Sequence, residues 1–435
     1  MRRFTFARGN SRKFAVLPLY VAGSIVSLLV PRRADHWAFG CGSGVGEGAL
    51  ALYLEARRSN PDLVLTWLAR NGRDAADAAA LGIRSVPVMS WRGFWQTLRA
   101  EVLVVTHGFG DVNRFGTHGG LIVQLWHGIP LKLIHLDSPA TLRVPILPDS
   151  KAIRVVLRSL YRRAARSIAL MPAASDVAAA RLRSAFALPA DRVVVTGDPR
   201  DDVLAQGSAD ERRSVARTRL AELVEFDLTD LTRLTDATDA TDATNVTDAQ
   251  VVLFAPTWRD GGVDPGIPSA AQWRAIATWF EASGAVLVIR PHPLSVGDYS
   301  SGPRASRRIV LLDSAIQPDI TPLLPAIDVL VTDYSSIAYD FALTGGDILF
   351  LASDVAAYTA SRGLYEPYEH FSGGREVTSW DELLVLLDRR ERDGAFRGLL
   401  REHTEALAWR NHLFRDGRNT VRVYAKITSR LKGTA

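Results

Sequence analysis

The feature that most constrains this chain is a recurring alternation of short, uninterrupted apolar runs with helical patterns. From Trp37 onward the runs are WAFG at 37–40, LVLTWLA at 63–69, VLVVTHG at 102–108, LIVQLWHG at 121–128, SIALMP at 167–172 and VVVTG at 193–197. A strand that alternates polar and apolar residues wets one face. One that does not must be covered on both, which calls for a parallel sheet with helices on either side. A second series follows: VVLFAPTW at 251–258, AVLVIRPHP at 285–293, RIVLLD at 308–313, IDVLVTD at 327–333 and DILFLASD at 347–354. At 435 residues the chain suits two such domains, each large enough to bury its own core. The expected fold is therefore α/β, with two Rossmann-like domains facing a cleft. Ligands belong at the carboxyl ends of the strands.

The pattern sets provisional boundaries. Residues 31–207 form the first domain, expected to hold an acceptor, and 250–435 the second, expected to hold a donor. Residues 208–249 contain LTDLTRLTDATDATDATNVTDA, too polar to bury a helical face, and are expected to be a flexible insert or linker. Within residues 1–30, the run FAVLPLYVAGSIVSLLV lies between Arg12-Lys13 and Pro31-Arg32-Arg33. It falls short of the roughly 20 apolar residues of a spanning helix, and Pro18, Gly23, Ser24 and Ser27 interrupt it. It predicts a helix that packs on the first domain or dips into a membrane. No small-residue cleavage site follows, which argues against a removed signal peptide.

A hydrophobic content of 47% with 23% charged residues is a globular composition, and the single Cys41 excludes a disulfide framework. Cys41 reads as a small packed residue. The net charge of +5 is carried almost wholly by arginine, the side chain suited to bidentate phosphate contacts. Zinc-ligand spacings and aromatic-interleaved basic runs are absent, so the expected anionic partners are phosphate-bearing small molecules or lipid rather than nucleic acid. A helix over 151–166 places Lys151, Arg154, Arg158 and Arg162 on one face beside Ile153, Leu157, Leu160 and Tyr161. Such a helix either rests on an anionic membrane surface or is an ordinary solvated face.

Several strand ends carry chemistry. Trp126-His127-Gly128-Ile129-Pro130-Leu131-Lys132 holds a histidine between an aromatic and a glycine–proline turn, and a near-neutral imidazole suits proton abstraction from a hydroxyl. Lys132 is a candidate phosphate contact. Arg290-Pro291-His292-Pro293 fixes a second histidine and an arginine in a rigid turn, useful where charge develops on a phosphoryl group. In Thr332-Asp333-Tyr334-Ser335-Ser336 the two serines open a helix whose N-terminus welcomes phosphate, and Asp333 is placed to orient His292 or a ligand hydroxyl. Arg259 in Ala255-Pro256-Thr257-Trp258-Arg259 and Arg362 in Arg362-Gly363-Leu364-Tyr365 are candidate diphosphate clamps. Arg200 in Thr196-Gly197-Asp198-Pro199-Arg200 is a supporting residue or a tie between domains.

Taken in order, WHGIPLK, TGDPRDD, APTWR, RPHP, TDYSSIAYDFAL and RGLY resemble the CDP-glycerol glycerophosphotransferase family, the primases and polymerases of teichoic acids and related capsule polymers. The resemblance runs from Trp37 to Arg422-Val423 and leaves out the Thr–Asp–Ala repeat. It implies a GT-B-like fold, peripheral attachment to the cytoplasmic face of the bacterial membrane, a CDP-activated donor and a membrane-linked acceptor. It also implies essential roles for His127 and His292, and phosphate binding at Ser335-Ser336. An acceptor hydroxyl deprotonated by His127 would attack the glycerol-bearing phosphorus of CDP-glycerol and release CMP. No metal or other cofactor is expected. The chain lacks the family's Lys-Pro pair before the strand after Gly345-Gly346 and its proline before the glycine in Phe371-Ser372-Gly373-Gly374. Both departures leave CDP-ribitol or another activated alcohol open as donor. The rival readings are a nucleotide-sugar glycosyltransferase of the same fold and a non-catalytic envelope-assembly protein.

Overall fold

The structure, a computed structural model, describes residues 17–139, 141–142, 150–224, 249–259 and 262–433. The expected repeat at 225–248 and the first residues of the apolar segment, 14–16, lie outside these. The chain forms two compact units, one of Met1–Val203 with Ser361–Tyr365 and Arg410–Ala435, the other of Leu204–Ala360 with Glu366–Trp409.

In the first unit the strands are β1 (Arg33–Phe39), β2 (Val64–Ala69), β3 (Ser85–Pro87), β4 (Ala100–Val105), β5 (Leu121–Gln124), β6 (Ile168–Ala173) and β7 (Val193–Val195). They form one parallel sheet in the order β3-β2-β1-β4-β5-β6-β7. The apolar runs are buried as their lack of alternation demands: Val102, Leu103, Val104 and Val105 of β4 have no exposed surface. The helices are α1 (Leu17–Leu29), α2 (Glu47–Ser59), α3 (Gly72–Ala80), α4 (Trp91–Arg99), α5 (Lys151–Ala165) and α6 (Asp176–Phe186). The short edge strand β3, which ends in proline, was not among the expected strands.

The second unit begins with α7 (Ala209–Val224) and carries β8 (Val251–Ala255), β9 (Val286–Ile289), β10 (Ile309–Leu311), β11 (Val329–Thr332) and β12 (Asp347–Phe350). This sheet is also parallel, ordered β10-β9-β8-β11-β12. Its helices are α8 (Ala270–Ser283), α9 (Ser301–Ala305), α10 (Ile337–Ala342), α11 (Val355–Arg362), α12 (Tyr368–Ser372), α13 (Trp380–Arg392) and α14 (Gly394–Asn411); α15 (Asn419–Gly433) closes the chain. Phe254, Trp273, Phe280, Leu287, Val329, Trp380 and Phe396 share one core. The fold is thus the expected α/β class with two Rossmann-like domains.

Two domain boundaries differ from expectation. Residues 209–224 are helical where a flexible insert was expected. Ser208 and Glu211 exchange hydrogen bonds with each other's backbone N–H at the helix start, Ala216 and Leu220 are buried, and Arg213 and Arg217 both pair with Asp328 at 2.8 and 2.7 Å. The C-terminal segment, expected in the second domain, completes the first. Val423 and Ile427 of α15 join the core of Trp37, Phe39, Leu52 and Trp67, each worth about 2 kcal/mol of burial. The Asp202 carboxylate accepts the N–H groups of Asn419 and Thr420, both at 2.8 Å, and so caps α15.

Candidate functional site

In the first unit the sheet's topology reverses between β1 and β4, the crevice where doubly wound folds bind ligands. Beside it β5 ends in a tight reversal. Trp126 adopts a left-handed backbone at φ 65° and Gly128 a φ of 116°, which glycine tolerates best. The Trp126 ring packs edge-on to Phe186 at 5.2 Å, and buried Arg181 donates to the Pro130 carbonyl at 2.8 Å, bracing the turn from below. Between these anchors the half-buried His127 ring lies tilted against Trp126, centroids 4.2 Å apart, and parallel to His107 at 4.1 Å and 2°.

The Nδ1 of His127 lies 3.4 Å from the Thr106 carbonyl oxygen. A carbonyl only accepts, so Nδ1 carries the proton and Nε2 keeps its lone pair. Desolvation, then the neighbouring His107, hold the His127 pKa well below the usual imidazole value; the Thr106 carbonyl opposes them, and Arg200 and Lys132 add to the lowering. A neutral imidazole among basic side chains can take a proton while the surroundings attract an anion.

His107 was not among the expected site residues, because VLVVTHG was read only as a strand. It sits two residues beyond β4, where the Asp111 carboxylate gathers the N–H groups of Thr106, His107 and Gly108 at 2.9, 2.7 and 3.3 Å. Gly40, after β1, faces this loop closely: a Cβ there would lie 1.9 Å from the Asp111 carbonyl oxygen. The Arg362 segment, expected within residues 250–435, belongs to the first unit: Leu133 N–H donates to Gly363 O at 3.0 Å, Tyr365 N–H to Leu131 O at 2.9 Å, and the Tyr365 hydroxyl to Asp137 at 2.7 Å. Lys132 pairs with Leu364 in the same bridge. Arg200, expected either as support or as a tie between domains, opens a short helical turn, Pro199–Leu204, and contributes to the charge felt by His127.

The second unit places its groups around the reversal between β8 and β11. Asp333, buried after β11, accepts the N–H groups of Thr257 at 2.8 Å and Tyr334 at 2.6 Å. Arg259 forks between Asp333 at 3.0 Å and Asp354 at 2.8 and 2.9 Å, donates to the Thr257 carbonyl, and stacks over Tyr334 and Tyr358 at 5.1 and 4.7 Å. Burial would lower its pKa, but Asp354 and Asp333 outweigh this and hold it above the ordinary value. A guanidinium so engaged holds the strand-end loops together, and Asp333 accepts from both Thr257 and Arg259. Asp354 and Tyr334 complete this network and were missed because nothing local in DILFLASD marks the aspartate as a partner of an arginine 95 residues away.

His292 follows β9. Its Nδ1 accepts the Leu294 N–H at 3.1 Å, so the neutral ring carries its proton on Nε2, the opposite tautomer from His127. Trp258 stacks on it at 5.9 Å. Arg290, half-buried, donates to the carbonyls of Leu312 and Pro318 at 3.3 and 2.9 Å. Burial lowers its pKa. Ser335 and Ser336 precede α10 and stay partly exposed beside the buried Tyr334 and Ala338. Ser335 accepts the Ile337 N–H at 3.4 Å, while Ser336 makes no side-chain cap.

Comparison with known proteins adds four findings. A family model described as CDP-glycerol:poly(glycerophosphate) glycerophosphotransferase matches residues 29–222 and 227–429. The chain is 27% identical to the teichoic acid ribitol-phosphate polymerase TarL of Staphylococcus aureus over 241 residues, 55% of this chain and 37% of that protein. It is 24% identical to the teichoic acid poly(glycerol phosphate) polymerase of Bacillus subtilis over 346 residues, 78% of this chain and 41% of that protein. It thus spans about two-fifths of the length of these relatives. The solved structure of the wall teichoic acid polymerase TagF superposes with a TM-score of 0.71 at 19% identity, over 96% of this chain and 93% of that one, a likeness of fold.

Proposed function

Since the chain belongs to the CDP-glycerol:poly(glycerophosphate) glycerophosphotransferase family, we propose that it transfers a polyol phosphate, glycerol phosphate foremost, from a CDP-activated donor to a hydroxyl of a membrane-linked acceptor. The product is a teichoic-acid-like or capsule-like envelope polymer, and CMP is released. The observation that carries this reading is the state of His127: Nδ1 turned to the Thr106 carbonyl, Nε2 left as acceptor, and a pKa held low by burial and by neighbouring His107, Arg200 and Lys132. Nε2 takes the hydroxyl proton as the oxygen attacks the polyol-bearing phosphorus. The phosphoanhydride bond breaks, and its electron pair leaves with CMP. His292, with its proton on Nε2, is suited to donate toward a phosphate oxygen, and Ser335 and Ser336 offer hydroxyls to the same group. Arg290, Arg259 and Asp333 hold the strand-end loops that carry them. The reaction so drawn needs no metal or other cofactor.

Peripheral attachment to the cytoplasmic face of the membrane belongs to the same proposal. No described helix is long and apolar enough to cross a membrane. One face of α1 packs on Phe115 through Tyr20, ring centroids 5.2 Å apart, while Leu19, Val21, Ile25, Leu28 and Leu29 are exposed. Its serines Ser24 and Ser27 return their hydroxyls to the Tyr20 and Gly23 carbonyls, which leaves the exposed face apolar. Tyr20 and Ser24 share a hollow with Ser167, just past α5, whose exposed Val155, Val156 and Leu160 accompany its basic residues. An apolar face beside a basic helix suits an anionic bilayer.

The test incubates the full chain with CDP-glycerol, CDP-ribitol and a nucleotide-sugar in parallel, with a lipid-linked glycerol-phosphate acceptor in detergent, and measures nucleotide release. Acceptor-dependent CMP release from a CDP-alcohol is the expected result. Release from the nucleotide-sugar alone overturns the proposal in favour of glycosyl transfer.

A further inference from the structure

We infer that the first unit holds a site for a thiophilic divalent cation of the zinc class, built from Cys41, Glu47 and His107. The ligand atoms of these three side chains all lie within 4.8 Å of one another. Donor atoms that share one zinc ion, each about 2.0–2.3 Å from it, lie within about 4.6 Å of each other, so small side-chain rotations close the set. A thiol, an imidazole and a carboxylate are the ligand types that select zinc and its neighbours over magnesium or calcium.

The fold brings His107 to Cys41 and Glu47, which stand six residues apart in the chain. Cys41 and His107 each stand two residues beyond neighbouring parallel strands, β1 and β4, at the reversal of strand order, and Glu47 opens α2 immediately after. Two further groups surround the set. The Thr106 hydroxyl lies 2.8 Å from His107 Nδ1 and 3.3 Å from Cys41 Sγ, so Nδ1 is the nitrogen on the thiol side. Ser43 Oγ lies 2.9 Å from Sγ, within reach of a fourth position. Burial is graded, with Cys41 buried, Glu47 intermediate and His107 exposed, which leaves an entry path past the imidazole. In many α/β folds the first strand–helix turn receives an anion at the helix N-terminus. Here Glu47 is the first residue of that helix and its carboxylate lies 3.7 Å from Cys41 Sγ, a negative charge that favours a cation over an anion. The site adjoins His127 through the His107 ring, stacked on it at 4.1 Å, while the cobalt readout below does not depend on the transfer reaction.

The experiment uses the full chain, freed of metal and kept reduced without thiol reagents, titrated with cobalt(II) chloride as the probe. Cys41 is the chain's only cysteine, so a thiolate-to-cobalt charge-transfer band in the near ultraviolet reports this residue alone. The expected result is a band that saturates at one equivalent, disappears on addition of zinc, and is absent from Cys41→Ser. Glu47→Gln and His107→Ala, at positions of intermediate and exposed class, should each weaken cobalt binding by about tenfold or more while retaining the wild-type circular dichroism. They carry the test if Cys41→Ser fails to fold. A folded wild type without the band overturns the inference. So does a band of unchanged affinity in both Glu47→Gln and His107→Ala, which would reduce the site to a lone thiol.

Discussion

Arg259→Met tests the strand-end scaffold of the second unit. The guanidinium joins two carboxylates, Asp333 with a side chain 4% exposed and Asp354 at 24%, and is itself 11% exposed. Opposite charges about 4 Å apart interact by about 4 kcal/mol at an effective dielectric near 20, and removing one partner of a buried pair costs about 3–5 kcal/mol. Asp333 keeps the Thr257 and Tyr334 N–H groups, and Asp354 keeps the Tyr334 hydroxyl at 2.9 Å, so the loss falls at the lower end, about 3 kcal/mol. For a unit of this size that lowers its melting temperature by about 6–12 °C. Arg259→Lys keeps the charge but cannot fork between two carboxylates, and should lose about half as much.

The pH dependence has a definite sign. Burial pushes the Asp354 carboxyl up, but the Arg259 hydrogen bond and charge and the Tyr334 hydroxyl outweigh it and hold the group below the ordinary carboxylate range. A depressed group adds stability above its unfolded-state pKa and loses it as pH falls through the folded value. In Arg259→Met burial dominates at Asp354 and its carboxyl rises, so the gap between variant and wild type narrows as pH falls from about 7 toward about 4. Differential scanning calorimetry is the assay. A variant that melts within about 2 °C of wild type at neutral pH refutes the reasoning.

Further outcomes follow from the first unit and from α14. Gly40→Ala drives a Cβ to 1.9 Å from the Asp111 carbonyl oxygen and should cost more than about 3 kcal/mol or abolish soluble expression, whereas Gly398→Ala, in α14 with nothing within 4 Å, should stabilise by about 0.5–1 kcal/mol in thermal melts. His127 is held neutral, so the acid limb of kcat/KM should fall below the ordinary imidazole pKa; Arg200→Gln, which removes one lowering charge, should move that limb upward, and an unmoved limb separates Arg200 from His127. The same depressed imidazole contributes a loss of stability as pH drops below about 6.5, because the unfolded chain takes the proton first.

The sheets were legible in the sequence because strands covered on both faces leave β-branched runs without polar alternation, as in Val102–Val105. Pro87 and the brevity of β3 concealed an edge strand, and α7 was concealed by the polar repeat that follows it, although Ser208 and Glu211 spell a capping box. The site was legible where one local turn fixes a group, as at His127 and His292. It was not where function depends on non-local partners. Nothing local to Ala255–Arg259 announces that Arg259 pairs with Asp333 and Asp354. His107 is given its neighbours by strand order, and so are Cys41 and Glu47. Arg362 stands in the chain among second-unit elements, yet Gly363 and Tyr365 beside it pair with Leu133 and Leu131, which no spacing rule conveys.

The most direct test of the central claim is acceptor-dependent CMP release by wild type and by His127→Gln, at neutral pH and equal concentration with CDP-glycerol as donor. Loss of a general base predicts a fall in kcat of about 10²–10⁴-fold with the fold intact by circular dichroism. A His127→Gln variant that releases CMP at the wild-type rate would contradict the assignment of His127 as the base.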